Sequence, residues 1–132
     1  MHIGYSEIDI TPRIGVELCG YGMYPVRRSE AVKDNLYARA VAFVEGEKKL
    51  LLLNCDLLTL SRQIVEEVKQ QLIKDLELRS EDILLLSTHT HTGPNASDTE
   101  GIGERDEGYV QALPALLVRA GSDAFKNTRQ VK

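Results

Sequence analysis

A chain of 132 residues with 42% hydrophobic content carries enough apolar side chain for one ordinary core, and is read as a single α/β domain over residues 1–132 or part of one. Its 16 basic and 20 acidic residues leave a formal charge of −4 and form no basic stripe that would neutralise a phosphate backbone, which argues against nucleic acid as a partner. Cys19 and Cys55 lie far apart with no CxxC spacing, so free thiols are expected rather than a disulfide framework.

The N-terminus goes directly into an alternating pattern, Ile3, Tyr5, Ile8 and Ile10, which Thr11-Pro12 ends, because proline cannot donate to a strand ladder. It has no basic segment followed by an apolar one, so the chain as given reads as cytoplasmic, or secreted if a signal was removed upstream. From Pro12 to about Asn35 runs a loop too rich in glycine for a helix, with Gly15, Gly20, Gly22 and Pro25. Tyr21, Met23 and Tyr24 within it suit either a lipid-binding mouth or a loop folded over its own aromatics, and the second is the simpler account. Arg27, Arg28 and Lys33 read as an exposed charged loop that can also meet an anionic headgroup.

"LYARAVAFVEGEKKLLLLNCDLL" then predicts two strands joined at Glu45 to Lys48. In the first, Arg39 must find a partner or reach solvent. "SRQIVEEVKQQLIKDLEL" predicts a helix with Ser61 as N-cap and Ile64, Val65, Val68, Leu72, Ile73 and Leu76 on its apolar stripe. The short run Ile83 to Ser87 suits a strand buried on both faces. Strand, helix, strand in that order implies a parallel crossover, so the fold class is α/β: a mixed sheet with at least one parallel βαβ crossover and helices packed on it. From Asp106 to Phe125 a helical period returns, but Pro114 inside it predicts a kink or break. The longest apolar runs fall far short of the roughly 20 residues that span a bilayer, so no transmembrane segment is expected.

In open α/β sheets, ligands bind beyond the carboxyl ends of parallel strands. Asp56 ends one such strand and the segment with His89 and His91 ends the next. If strand geometry persists through Thr90, the period of two aims both imidazoles to one side. Neutral imidazole binds zinc, but a catalytic zinc site usually takes three protein ligands. His2 sits at the far end of its own strand, so completion would need Asp56, Asp98 or Glu100, or residues from elsewhere. The bare pair also fits a solvated loop, and the residues alone leave both readings open.

Five stretches taken together resemble the N-terminal part of the neutral/alkaline non-lysosomal ceramidase family: "DITP" (9–12), "LCGYG" (18–22), "DNLYARAVAF" (34–43), "NCDLL" (54–58) and "STHTHTGPN" (87–95), in family order and with family-like spacing. The resemblance implies the N-terminal portion of a larger hydrolase domain: a zinc-dependent amidase whose substrate is a ceramide-like lipid or another N-acyl amide. It implies zinc as cofactor, His89 as a zinc ligand, and His91 as a catalytic neighbour that meets the substrate or the activated water. It also places Gly20 at the mouth of the site against substrate and Asp56 as a strand-end acid that orients an imidazole. The family's other ligands, a histidine, a glutamate and a tyrosine, and its active-site serine belong to regions downstream of those matched. The chain by itself is therefore expected to be inactive and to expose apolar surface through which it can form a homo-oligomer. The alternative is a non-catalytic α/β interaction or assembly module with residual histidines. A different HxH metal hydrolase is disfavoured, because Gly93-Pro94 stands where an HxHxDH continuation would run.

Overall fold

Alternate residues of four strands turn toward the same two helices, and this one-sided packing organises the chain. The structure, a computed structural model, describes residues 1–23 and 26–131, so Tyr24 lies outside the described residues. Strands β1 (His2–Asp9), β2 (Tyr37–Glu45), β3 (Lys48–Cys55), β4 (Ile83–Ser87) and the short β5 (Arg129–Gln130) form one sheet in the order β4-β3-β2-β1-β5. All pairs are antiparallel except β3 with β4, which is parallel across helix α1 (Arg62–Leu76). This is the expected mixed sheet with a βαβ crossover.

The β2–β3 hairpin closes on Gly46-Glu47 between the paired Glu45 and Lys48. Gly46 takes φ 58° while Glu47 stays out of the left-handed region, the two-residue turn that suits the right-handed twist of strands. Ser61 caps α1 as expected, its Oγ accepting from the Ile64 N–H at 3.2 Å, and Ile64, Val68 and Leu72 face inward.

Helix α2 (Glu107–Lys126) runs unbroken through Pro114, so of the kink or break predicted there the break does not occur. One ladder bond is lost there, since proline has no N–H, but Pro114 is buried, as are Val110, Leu113 and Leu117 of the same helix, and that burial outweighs a single missing bond. Small residues bring α2 close to the sheet. Ala38, Ala40 and Ala42 line the inner face of β2, and a Cβ at Gly4 would overlap the Ala124 carbonyl oxygen. At Gly121 a Cβ would come within 2.8 Å of Leu72 Cδ2, so α2 also touches α1 closely.

The second correction concerns β4. It was expected to be buried on both faces, but it is the sheet's edge strand, with Leu84 47% and Leu86 50% exposed. The helices cover one face only. Among the described residues no helix is long and apolar enough to cross a membrane.

Candidate functional site

The carboxyl ends of the two parallel strands continue into loops that hold each other. The Thr88 N–H donates to the Cys55 carbonyl at 2.9 Å and the His89 N–H to the Leu57 carbonyl at 3.0 Å. Strand geometry nonetheless stops at Ser87, because His89 takes φ 60°, a left-handed conformation that costs a non-glycine residue about 1–2 kcal/mol. The period-of-two argument thus fails in its premise while its outcome holds. The rings of His89 and His91 stand with centroids 5.1 Å apart, edge to face.

A third bond fixes the His89 ring. Its Nδ1 lies 2.9 Å from the Leu58 carbonyl oxygen. A carbonyl only accepts, so Nδ1 carries a proton, and in the neutral tautomer that this selects, the lone pair is on Nε2, the arrangement that prepares a histidine for a metal. Asp56, expected to orient an imidazole, is engaged elsewhere: its Oδ2 accepts from the Tyr37 N–H at 3.0 Å and from Arg39 Nη1 at 2.7 Å. Arg39 meets Glu7 at 2.8 Å on its other side, so the mid-strand arginine has found its partners.

His91 is half-buried between loops. Gly20, at φ 103°, leaves no Cβ on the side facing it; one there would lie 2.6 Å from His91 Nδ1. The space freed by Gly20 is therefore filled by the His91 ring. Tyr21 packs edge-on against the same ring at 5.1 Å. The loop reaches this position because the Cys19 N–H donates to the Gly93 carbonyl at 2.9 Å and Leu18 bridges to Pro94. Buried Glu17 adds a staple, accepting from Arg28 Nη2 at 3.3 Å and from the Glu104 N–H at 2.7 Å. Arg27, grouped by sequence with exposed charges, instead turns inward to the carbonyls of Cys19 and His91.

Beside the histidines opens a cleft of about 530 Å³ whose walls include Thr11, Asp56, Thr88, Thr90 and Thr92 but neither histidine. The threonines of the alternating segment face this cleft, and Asp56 with them. His2 sits at the opposite edge of the sheet, paired to Val44 and Gln130. Asp98 is occupied by the Arg62 N–H and Arg105, and Glu100 is exposed. Among the described residues no three histidine, cysteine or acidic side chains gather as a metal-holding group. Both cysteines are free and buried, and burial pushes the Cys55 thiol up to about 12, which leaves it inert as a nucleophile.

Sequence reasoning missed the Leu58 carbonyl and the inward turn of Arg27. It also passed over Asn95, whose buried amide accepts from Ser97 and donates to the Gly103 carbonyl at 2.8 Å, anchoring the segment after the histidines. Backbone partners leave no mark in a sequence; only the run Gly-Pro-Asn hinted at a built turn.

The family model for neutral/alkaline non-lysosomal ceramidase, N-terminal, matches residues 1–120. Two solved structures share the fold. A neutral ceramidase from Pseudomonas aeruginosa is 23% identical at a TM-score of 0.84, over 97% of this chain and 22% of that one. A ceramidase complexed with C2 is 23% identical at a TM-score of 0.82, over 97% of this chain and 21% of that one. The chain thus spans about a fifth of the length of either.

Proposed function

Because the chain belongs to the neutral/alkaline non-lysosomal ceramidase family, we propose that it carries the N-terminal share of a zinc-dependent amidohydrolase acting on the N-acyl amide bond of ceramide-like lipids. The observation that carries this reading is the His89 ring, whose Nδ1 is held by the Leu58 carbonyl so that Nε2 is left for a metal. His89 would hold zinc as one ligand of a set. Zinc, when bound, supplies polarisation of the amide carbonyl and acidification of a water. His91, with its ring 5.1 Å from that of His89, takes or gives a proton beside the reacting amide, and Gly20 leaves that ring its room. One imidazole binds zinc weakly, so the remaining ligands come from polypeptide outside residues 1–132 and the chain alone is inactive.

Zinc analysis and fatty-acid release from a short-chain N-acylsphingosine test this. The 132-residue chain is expected to hold zinc weakly and release nothing. Protein that includes the further ligands is expected to retain about one zinc per active centre and to hydrolyse the lipid. His89→Ala removes both. Zinc content indifferent to that substitution overturns the proposal.

The uncovered sheet face favours a second reading, an assembly module. Tyr5, Leu84 and Leu86 are each about half exposed there, and the occupant it proposes is a second copy of the chain. Zinc-free protein that forms defined dimers, with no hydrolysis by any longer form, would select it.

A further inference from the structure

The zinc-amidase reading makes no use of Arg27, yet this side chain ties together the two segments that meet at the histidines. We infer that Arg27 is a positioning residue for His91, with its guanidinium setting where that ring stands relative to His89 and Gly20. The inference rests on the reading of His91 as a group that meets the reacting amide.

One nitrogen, Nη2, donates to the His91 carbonyl at 2.5 Å and to the Cys19 carbonyl at 3.4 Å. It thereby joins the loop that bears Gly20 to the segment that follows β4. The guanidinium carbon lies 4.5 Å from the centroid of the Tyr21 ring, and that ring in turn packs edge-on against His91 at 5.1 Å. His91 is therefore bounded by Gly20, Tyr21 and His89, and Arg27 holds both its own carbonyl and the tyrosine beside it.

Arg27 Nε is buried without a hydrogen-bond partner among the described residues. Such an N–H is unfavourable, and a solvated arginine would avoid it. The side chain stays inward because the two carbonyls and the tyrosine face outweigh that loss. Lysine is a poor substitute, since its ammonium sits one bond nearer the backbone and has no planar face to lie on the ring.

The contribution is local. The same two segments are also joined by the Cys19–Gly93 bond and the Leu18–Pro94 bridge, neither of which involves Arg27. Removing Arg27 frees the His91 carbonyl and Tyr21 while the fold persists.

The test compares Arg27→Ala, Arg27→Lys and Tyr21→Leu. In the chain itself, nuclear Overhauser contacts between the Tyr21 and His91 rings are expected to vanish in Arg27→Ala while amide dispersion stays that of the folded chain. In the hydrolytically competent protein, kcat for N-acylsphingosine is expected to fall about tenfold or more while KM moves less than about twofold, since misplacing one group affects the reacting geometry more than substrate binding. Zinc content should be unchanged. Arg27→Lys recovers part of the loss, and Tyr21→Leu, which leaves the carbonyl bonds intact, loses less than Arg27→Ala. Should Arg27→Ala fail to fold, the other two variants carry the same comparison. Ring contacts that persist in Arg27→Ala, or full recovery in Arg27→Lys, overturn the inference. Absence of zinc and hydrolysis in the parent protein instead sinks the amidase reading, and the ring contacts still report on Arg27.

Discussion

The two faces of the sheet differ in almost every physical respect. On the inner face Gly4, Ala38, Ala40 and Ala42 let α2 approach closely, Leu51 and Leu53 are fully buried, and Ser6 Oγ donates to the Ala120 carbonyl at 2.6 Å. On the outer face Tyr5, Leu84 and Leu86 are about half exposed, and polar contact includes a cluster of Glu7, Arg39 and Asp56 to which the Tyr5 hydroxyl donates. The inner face is close-packed, so its residues are constrained by volume. The outer face has apolar character that neither helix of this chain covers, so within the chain its residues are not constrained by volume.

The largest expected effect of breaking this contrast is on the inner face. Gly4→Ala forces a methyl against the α2 backbone and is expected to cost about 3 kcal/mol, and Leu53→Ala a similar amount through the cavity it leaves, both read from urea unfolding. Leu86→Ala on the outer face is expected to cost less than about 1 kcal/mol, because half of that side chain is already in water. If the two leucines lose stability equally, the outer face is covered in solution.

A smaller effect sharpens the same point. Leu84→Lys with Leu86→Lys is expected to leave the unfolding midpoint nearly unchanged and to lower self-association and dye binding, measured by light scattering and fluorescence. Unchanged scattering would locate association elsewhere.

The smallest effect distinguishes the faces by pH. The Tyr109 backbone N–H, with Arg13 also contributing, holds the Asp106 carboxyl below its ordinary range at the start of α2, and the Thr11 hydroxyl and backbone N–H do the same for Asp9. Their stabilisation is fully present above the unfolded carboxylate pKa, near about 4, and is lost as pH falls through the lower folded values. Acid should therefore loosen α2 first, seen as faster amide exchange in its first turn, with the β2–β3 hairpin protected.

Much of this architecture was legible before any coordinates. The two strands joined at Glu45 to Lys48 and the Ser61 cap are local signals, and each reports the residue's own backbone preference. Pro114 left kink and break open, and burial of α2 excludes the break by overriding one missing hydrogen bond, a balance that depends on neighbours far away in the chain. Leu84 and Leu86 misled because a run of leucines reports the need for cover and says nothing of whether cover is present.

At the candidate site the division is the same. The spacing of His89 and His91 pointed to one place, and the resemblance added Gly20 to it, because residue type and order are written in the chain. Tertiary structure alone decided that Leu58 rather than Asp56 holds the His89 ring, that Arg27 turns inward and that His91 fills the space beside Gly20. Those contacts run between carbonyl oxygens and side chains brought together by the crossing of loops, and every residue type carries the same carbonyl.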